Sequence, residues 1–232
     1  MRNLHEWNLS YAEARRVQEE LAGRVQLAPL GKEPEIITGL DCAFSGDGKR
    51  IFAAAVVLRV IGFQRGAAAQ PGRFDFAQVE TATAQQETRF PYIPGLLSFR
   101  EAPVCLEAVA KLKEQPDLFM IDGQGVAHPR RLGLASHLGL FLDKPTIGCA
   151  KSRLVGKYEE PGSERGAYSL LQDGEETIGA VVRTRSRVKP VFVSIGHKCT
   201  LEDAIRIALA CATRYRIAEP MRLAHQAVST LR

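Results

Sequence analysis

Apolar residues along this chain follow two rhythms, and the change from one to the other divides it into two parts. Near the start, Ser10 is a helix-capping residue, and Ala14, Val17, Leu21 and Val25 recur at helical spacing, which predicts an amphipathic surface helix. Next comes Ile36-Ile37-Thr38-Gly39-Leu40-Asp41-Cys42-Ala43-Phe44, which reads as a buried strand with one carboxylate set into it. Gly46-Asp47-Gly48 is a turn signal, and the apolar run 51–58 is its return strand. Residues 62–72, with Ala67-Ala68-Ala69 and Pro71, carry no periodicity and predict a flexible excursion, after which 76–88 forms a third strand. Phe90-Pro91-Tyr92-Ile93-Pro94-Gly95 is too rich in proline to be regular.

Beyond it the rhythm changes. Val104, Cys105, Ala108, Val109 and Leu112 mark a helix over 100–114. Strand 118–122, helix 132–142 and strand 146–150 alternate as parallel crossover units do, and a second hairpin at 177–195 precedes helices at 201–215 and 220–231. The expectation is an α/β fold: a mixed sheet, antiparallel in its first three strands and then built by parallel crossovers, flanked by helices. With no linker in sight, residues 1–232 are expected to form one domain. Crossover strands gather their carboxyl ends along one edge of the sheet, where ligands bind in open α/β folds.

Composition narrows the class. Hydrophobic residues make up 45% and charged residues 25% of the 232, ordinary for a soluble globular protein. The run 51–58 is far too short to span a bilayer, and Met1-Arg2-Asn3-Leu4-His5-Glu6 is not a signal peptide, so no membrane association and a cytoplasmic location are expected. Five scattered cysteines without a CxxC pair argue against a disulfide framework and a structural zinc site. A net charge of +5 reads equally as simple solubility.

Candidate chemistry starts from Asp41. A carboxylate in an apolar strand needs compensation: a salt bridge, a proton or a divalent cation. Asp117-Leu118-Phe119-Met120-Ile121-Asp122-Gly123 ends a second apolar strand on a carboxylate, and two carboxylates on neighbouring strands, without His/Cys zinc spacing, suit a hard cation such as Mg²⁺. Glu101, at the start of a helix, can join them or can be a first-turn acid with no other role. His225 reads as a packed or surface histidine when taken alone. Pro91-Tyr92-Ile93-Pro94 is a stiff tip carrying an aromatic, suited either to wedge between bases or to fold back on the core. Gly123-Gln124-Gly125 followed by His128, Arg130 and Arg131 can hold phosphate or can be a tight turn with solvated arginines. Lys151-Ser152-Arg153 follows another strand end on the same edge. Arg183, Arg185, Arg187 and Lys189 around the second hairpin turn are either a phosphate-tracking stripe or charge placed to protect an edge.

Taken together, the runs Gly39-Leu40-Asp41, Phe90-Pro91-Tyr92-Ile93-Pro94-Gly95-Leu96-Leu97-Ser98-Phe99-Arg100-Glu101, Asp122-Gly123-Gln124-Gly125-Val126-Ala127-His128-Pro129-Arg130-Arg131-Leu132-Gly133 and Thr146-Ile147-Gly148-Cys149-Ala150-Lys151-Ser152 resemble the endonuclease V family of deoxyinosine 3′ endonucleases, over about residues 7–225. That resemblance implies a ribonuclease-H-like fold and a DNA repair endonuclease that nicks at the second phosphodiester 3′ to a deaminated base, leaving 3′-hydroxyl and 5′-phosphate ends. It implies Asp41, Glu101 and Asp122 as metal-binding acids, His225 beside a second metal, and Lys151 as the catalytic-site lysine. It further implies Pro91, Tyr92, Ile93 and Pro94 as the wedge, and Gly95, Leu97 and Gly123 around the deaminated base. Phosphate contacts are expected from His128, Arg130, Arg131 and Ser152. The expected cofactor is Mg²⁺, with Mn²⁺ as a substitute, and the expected partner is DNA containing deaminated bases, bound by a monomer. An inosine-specific ribonuclease on the same scaffold is one alternative, and a non-cleaving nucleic-acid-binding repair module is another.

Overall fold

In the computed structural model, which describes residues 1–66 and 70–232, the nine residues Ile36–Phe44 form β1, the strand against which both halves of the sheet are laid. On one side it pairs antiparallel with β2 (Arg50–Gln64), which pairs antiparallel with β3 (Arg73–Glu87). On the other side β1 runs parallel to β4 (Leu118–Ile121), and β4 parallel to β5 (Thr146–Ala150). The sheet is completed by β6 (Tyr168–Asp173), β7 (Glu176–Val182) and β8 (Val191–His197), in the order β3-β2-β1-β4-β5-β8-β7-β6. The expected mixed sheet, antiparallel first and parallel after, is what forms.

Alternation along β1 explains how the faces are used. Ile37 packs with Met120, Ile147 and residues of α4 (Leu201–Cys211), and further along this face α5 (Glu219–Ser229) lies against β1 and β2. Leu40 packs with Phe119 and Ile121 under α2 (Leu97–Ala110) and α3 (Leu134–Leu142) on the other face. Gly39, on the α5 side, permits a main-chain approach that no side chain would allow: a Cβ there would stand 2.0 Å from the carbonyl oxygen of Pro220. Leu40 and Ile121 are register partners, so Asp41 and Asp122, one residue further on parallel neighbours, point to the same face. At the amino end, Ser10 and Glu13 form a reciprocal capping box at the start of α1 (Tyr11–Ala22).

Three expectations change. The stretch 62–72 is not wholly an excursion, because β2 continues to Gln64 and β3 begins at Arg73, with register shifts between Val57 and Leu58 and between Val60 and Gly62. Those irregularities break the two-residue period on which a strand reading depends; Ala67-Ala68-Ala69 lie outside the described residues. The second hairpin has an additional strand, β6, whose short, mostly exposed sequence lacks an apolar run. Arg183 leaves the basic stripe: it is buried, donates to the carbonyls of Gly162, Pro161 and Val188, and pairs with Glu160, while Arg185, Arg187 and Lys189 are exposed. The turn that carries the stripe joins two interior strands, so it protects no sheet edge. No helix among the described residues is long and apolar enough to cross a membrane.

Candidate active site

The carboxyl ends of β1 and β4 set two acids side by side, and α5 brings a histidine to them. Asp41 is only 8% exposed; its Oδ1 accepts the Cys42 amide at 2.8 Å and its Oδ2 lies 2.7 Å from His225 Nδ1. Asp122 accepts from the Lys151 ammonium at the end of β5. One ligand atom each from Asp41, Asp122 and His225 fall within 4.8 Å of one another. The close approach of α5 to Gly39 is what puts His225, more than a helical turn after Pro220, over Asp41.

Glu101 reaches the same rim from α2, on the opposite face. It is buried beside Cys42, the residue that alternates with Asp41. This explains why its oxygens stand outside the close group of three although all four side chains line one cavity. Burial first, and then the charge of Asp41, push the Glu101 carboxyl up to about 8. Burial, and next Asp122, also raise Asp41, against the lowering effect of His225 and the Cys42 amide. Three carboxyl groups thus share a cavity whose wall carries Lys151 and Arg153, of which Lys151 pairs with an acid, Asp122. A divalent cation would relieve that excess of negative charge, and two or three carboxylate oxygens with one imidazole nitrogen form a donor set for Mg²⁺ or Mn²⁺ rather than for a thiophilic metal.

The cavity, of about 460 Å³, extends from the acids to the proline-rich tip. Tyr92 is 69% exposed between Pro91 and Pro94, so the aromatic stands out into solvent on a stiffened backbone. Gly95 follows at φ +79°, a conformation glycine adopts without strain, and its carbonyl accepts from Gln18 Nε2 (3.0 Å) and from the Arg130 guanidinium (2.7 Å). The tip leads into α2, whose N-cap residue Leu96 supplies no side-chain cap, leaving the first-turn amides of Leu97 and Ser98 at the cavity wall without intrahelical acceptors. Gly123 closes the far wall, where a Cβ would press on Leu134 at 3.4 Å.

The residues expected to contact phosphate separate. His128 and Ser152 line the cavity. Burial, and then Arg130, push the His128 ring down to about 4, so it is neutral, with Nδ1 accepting the Arg130 amide. Arg130 turns inward to Gln18 Oε1 and to Gly95, while Arg131 is held by Asp173, Glu176 and the His128 carbonyl. Sequence reasoning missed Gln18, Cys42, Ser98 and Gln124. For Gln18 a signal existed: it sits four residues after Ala14, inside the apolar stripe of α1, where a polar side chain must have buried partners.

Gln18 is fully buried and joins Arg130, Gly95 and Leu132. Gln18→Leu, which leaves those partners unsatisfied, is expected to cost about 2 to 3 kcal/mol, a fall in Tm of roughly 5 °C or more on thermal unfolding. An unchanged Tm would show that the network carries no stability.

The endonuclease V family model matches residues 19–226. The chain is 48% identical to the endonuclease V of Methanothrix thermoacetophila, covering 97% of this chain and 93% of that protein. The crystal structure of endonuclease V from Streptomyces avermitilis superposes with a TM-score of 0.86 at 44% identity, over 97% of this chain and 94% of that one. Endonuclease V of Ciona intestinalis, solved in complex with a 24mer DNA containing an inosine followed by a ribo-adenosine, superposes with a TM-score of 0.77 at 27% identity, over 95% and 96% of the two chains.

Proposed function

The chain belongs to the endonuclease V family, and from that premise we propose that it is a metal-dependent DNA repair nuclease that finds deoxyinosine and nicks the same strand at the second phosphodiester 3′ to it. One observation carries the reading. The acids of β1 and β4, the lysine of β5 and the uncapped start of α2 all face one cavity, at whose mouth Tyr92 stands. Asp41, Asp122 and His225, with Glu101 from the other face, would hold the cation; when bound it supplies charge neutralisation at the phosphate and a more acidic water. Lys151 offsets phosphate charge next to Asp122. His128 stays neutral and polar in the wall, and Ser152 lies beside the phosphate path.

Selection of the base follows from its edge. Hypoxanthine offers an O6 acceptor where adenine offers an amino donor, so the free amides of Leu97 and Ser98 match the first and oppose the second, a difference of several kcal/mol in a dry pocket. Weak pairing lowers the cost of extruding the deaminated base, and Tyr92 between its prolines fills the gap it leaves. An end-labelled duplex with a single deoxyinosine tests the reading. Nicking with Mg²⁺ or Mn²⁺ at that one bond, absent with EDTA and leaving a 5′-phosphate, is expected; no nick under any divalent cation would refute it.

A second reading keeps the scaffold and changes the sugar. The DNA of the Ciona complex carries a ribo-adenosine after the inosine, which favours testing inosine-containing RNA as a substrate beside DNA. Matched DNA and RNA strands cut side by side decide between the two.

A further inference from the structure

Behind the cavity runs a line of hydrogen bonds whose direction is fixed at one end. His5 Nδ1 lies 2.8 Å from the carbonyl oxygen of Glu6, His5 Nε2 lies 2.8 Å from His137 Nε2, and His137 Nδ1 lies 3.0 Å from the Ser98 hydroxyl. A carbonyl oxygen only accepts, so the proton at that end is on His5 Nδ1. A neutral His5 then accepts at Nε2, which obliges His137 to donate from its own Nε2. His137, neutral in turn, accepts at Nδ1, and Ser98 has to donate to it. Both rings sit among Trp7, Phe99 and Phe141, and His137 is wholly buried. That burial holds both imidazoles below their usual range, in the neutral form the line requires.

A serine hydroxyl has one proton, and here it points away from the cavity. Ser98, 3% exposed and set in the cavity wall at the start of α2, has only lone pairs left for whatever enters. We propose that this line of two histidines makes Ser98 an obligate hydrogen-bond acceptor that selects bases carrying N–H at the Watson–Crick ring nitrogen. The proposal rests on the reading that this cavity receives the extruded base. Hypoxanthine and xanthine carry N1–H and uracil carries N3–H, whereas adenine and cytosine present a bare acceptor nitrogen at that position, lone pair against lone pair. The lactam N–H is thus the feature common to deaminated bases, and Ser98 reads it while the α2 amides read the neighbouring carbonyl. Guanine also carries N1–H, so its exclusion falls to another part of the pocket.

Two measurements on the full chain decide. Affinity is compared for duplexes bearing one deoxyinosine or one deoxynebularine, whose purine lacks both O6 and N1–H. Wild type is expected to prefer inosine, and Ser98→Ala to reduce that preference about tenfold by weakening inosine binding alone. An unchanged preference in the variant, or none in the wild type, overturns the proposal. Independently, nitrogen-15 spectroscopy of the wild-type imidazoles is expected to show His137 protonated at Nε2; protonation at Nδ1 overturns it whatever the binding data show. Failure of the wild type to bind or nick inosine DNA at all would instead remove the underlying reading of the cavity.

Discussion

Asp122→Asn is expected to lower single-turnover nicking of inosine DNA on the order of a thousandfold or more at saturating Mg²⁺, with binding of the same duplex changed only a few-fold. The argument is geometric. Asp122 is the one group that touches both halves of the machinery: its carboxylate stands within 4.8 Å of donors from Asp41 and His225, and it also accepts from Lys151. An amide in its place removes a charge from the cation seat and releases the lysine that faces phosphate. Tyr92, Gly95 and the α2 amides, to which we assign lesion recognition, make no hydrogen bond to Asp122 and keep their contacts. Nicking within tenfold of wild type would remove Asp122 from the reaction.

Glu101→Gln should produce opposite effects on activity and on stability. With the metal removed, the Glu101 carboxyl has a folded-state value of about 8 against 4.5 when unfolded. A raised value means the native state holds the proton more tightly than the unfolded chain does. Its contribution is therefore fully present below pH 4.5 and is lost as the pH rises through about 8. Asp41, also raised, acts in the same direction. Chelated protein is thus expected to lose stability, by several kcal/mol, between pH 5 and 9. In Glu101→Gln the slope should be shallower, with the variant the more stable protein at pH 8 and 9 and equal to wild type near pH 5, while nicking falls by orders of magnitude. Thermal unfolding in EDTA across that range is the check, and parallel pH profiles for the two proteins would contradict it. Stability given up around a cluster of like charges is a common correlate of function.

How much of this was visible in the chain depends on how local each feature is. β1, β4 and β5 announce themselves because each is largely apolar and buried on both faces, and the two aspartates stand out as charges, Asp41 within β1 and Asp122 directly after β4. The mixed sheet follows from the switch between hairpin and crossover rhythms. What stayed hidden depends on pairings across the sequence. Glu101 is on the correct rim, but only the alternation of Cys42 with Asp41 shows that it arrives from the other face. Arg130 and Arg131 are adjacent cations in the sequence, yet one turns to Gln18, 112 residues away, and the other to Asp173 and Glu176 on the β6–β7 hairpin. β6 pairs only along an edge and carries no apolar run of its own. Ser98 and His137 look like routine helix residues until the tertiary structure places His5 beside them.

Main chain rests on main chain where α5 crosses Gly39, so the strand bearing Asp41 and the helix bearing His225 are geared together although 184 positions separate the two side chains. A side chain at position 39 would push the helix outward and draw the imidazole away from the carboxylate, so the smallest residue of the strand holds its most distant partner in reach.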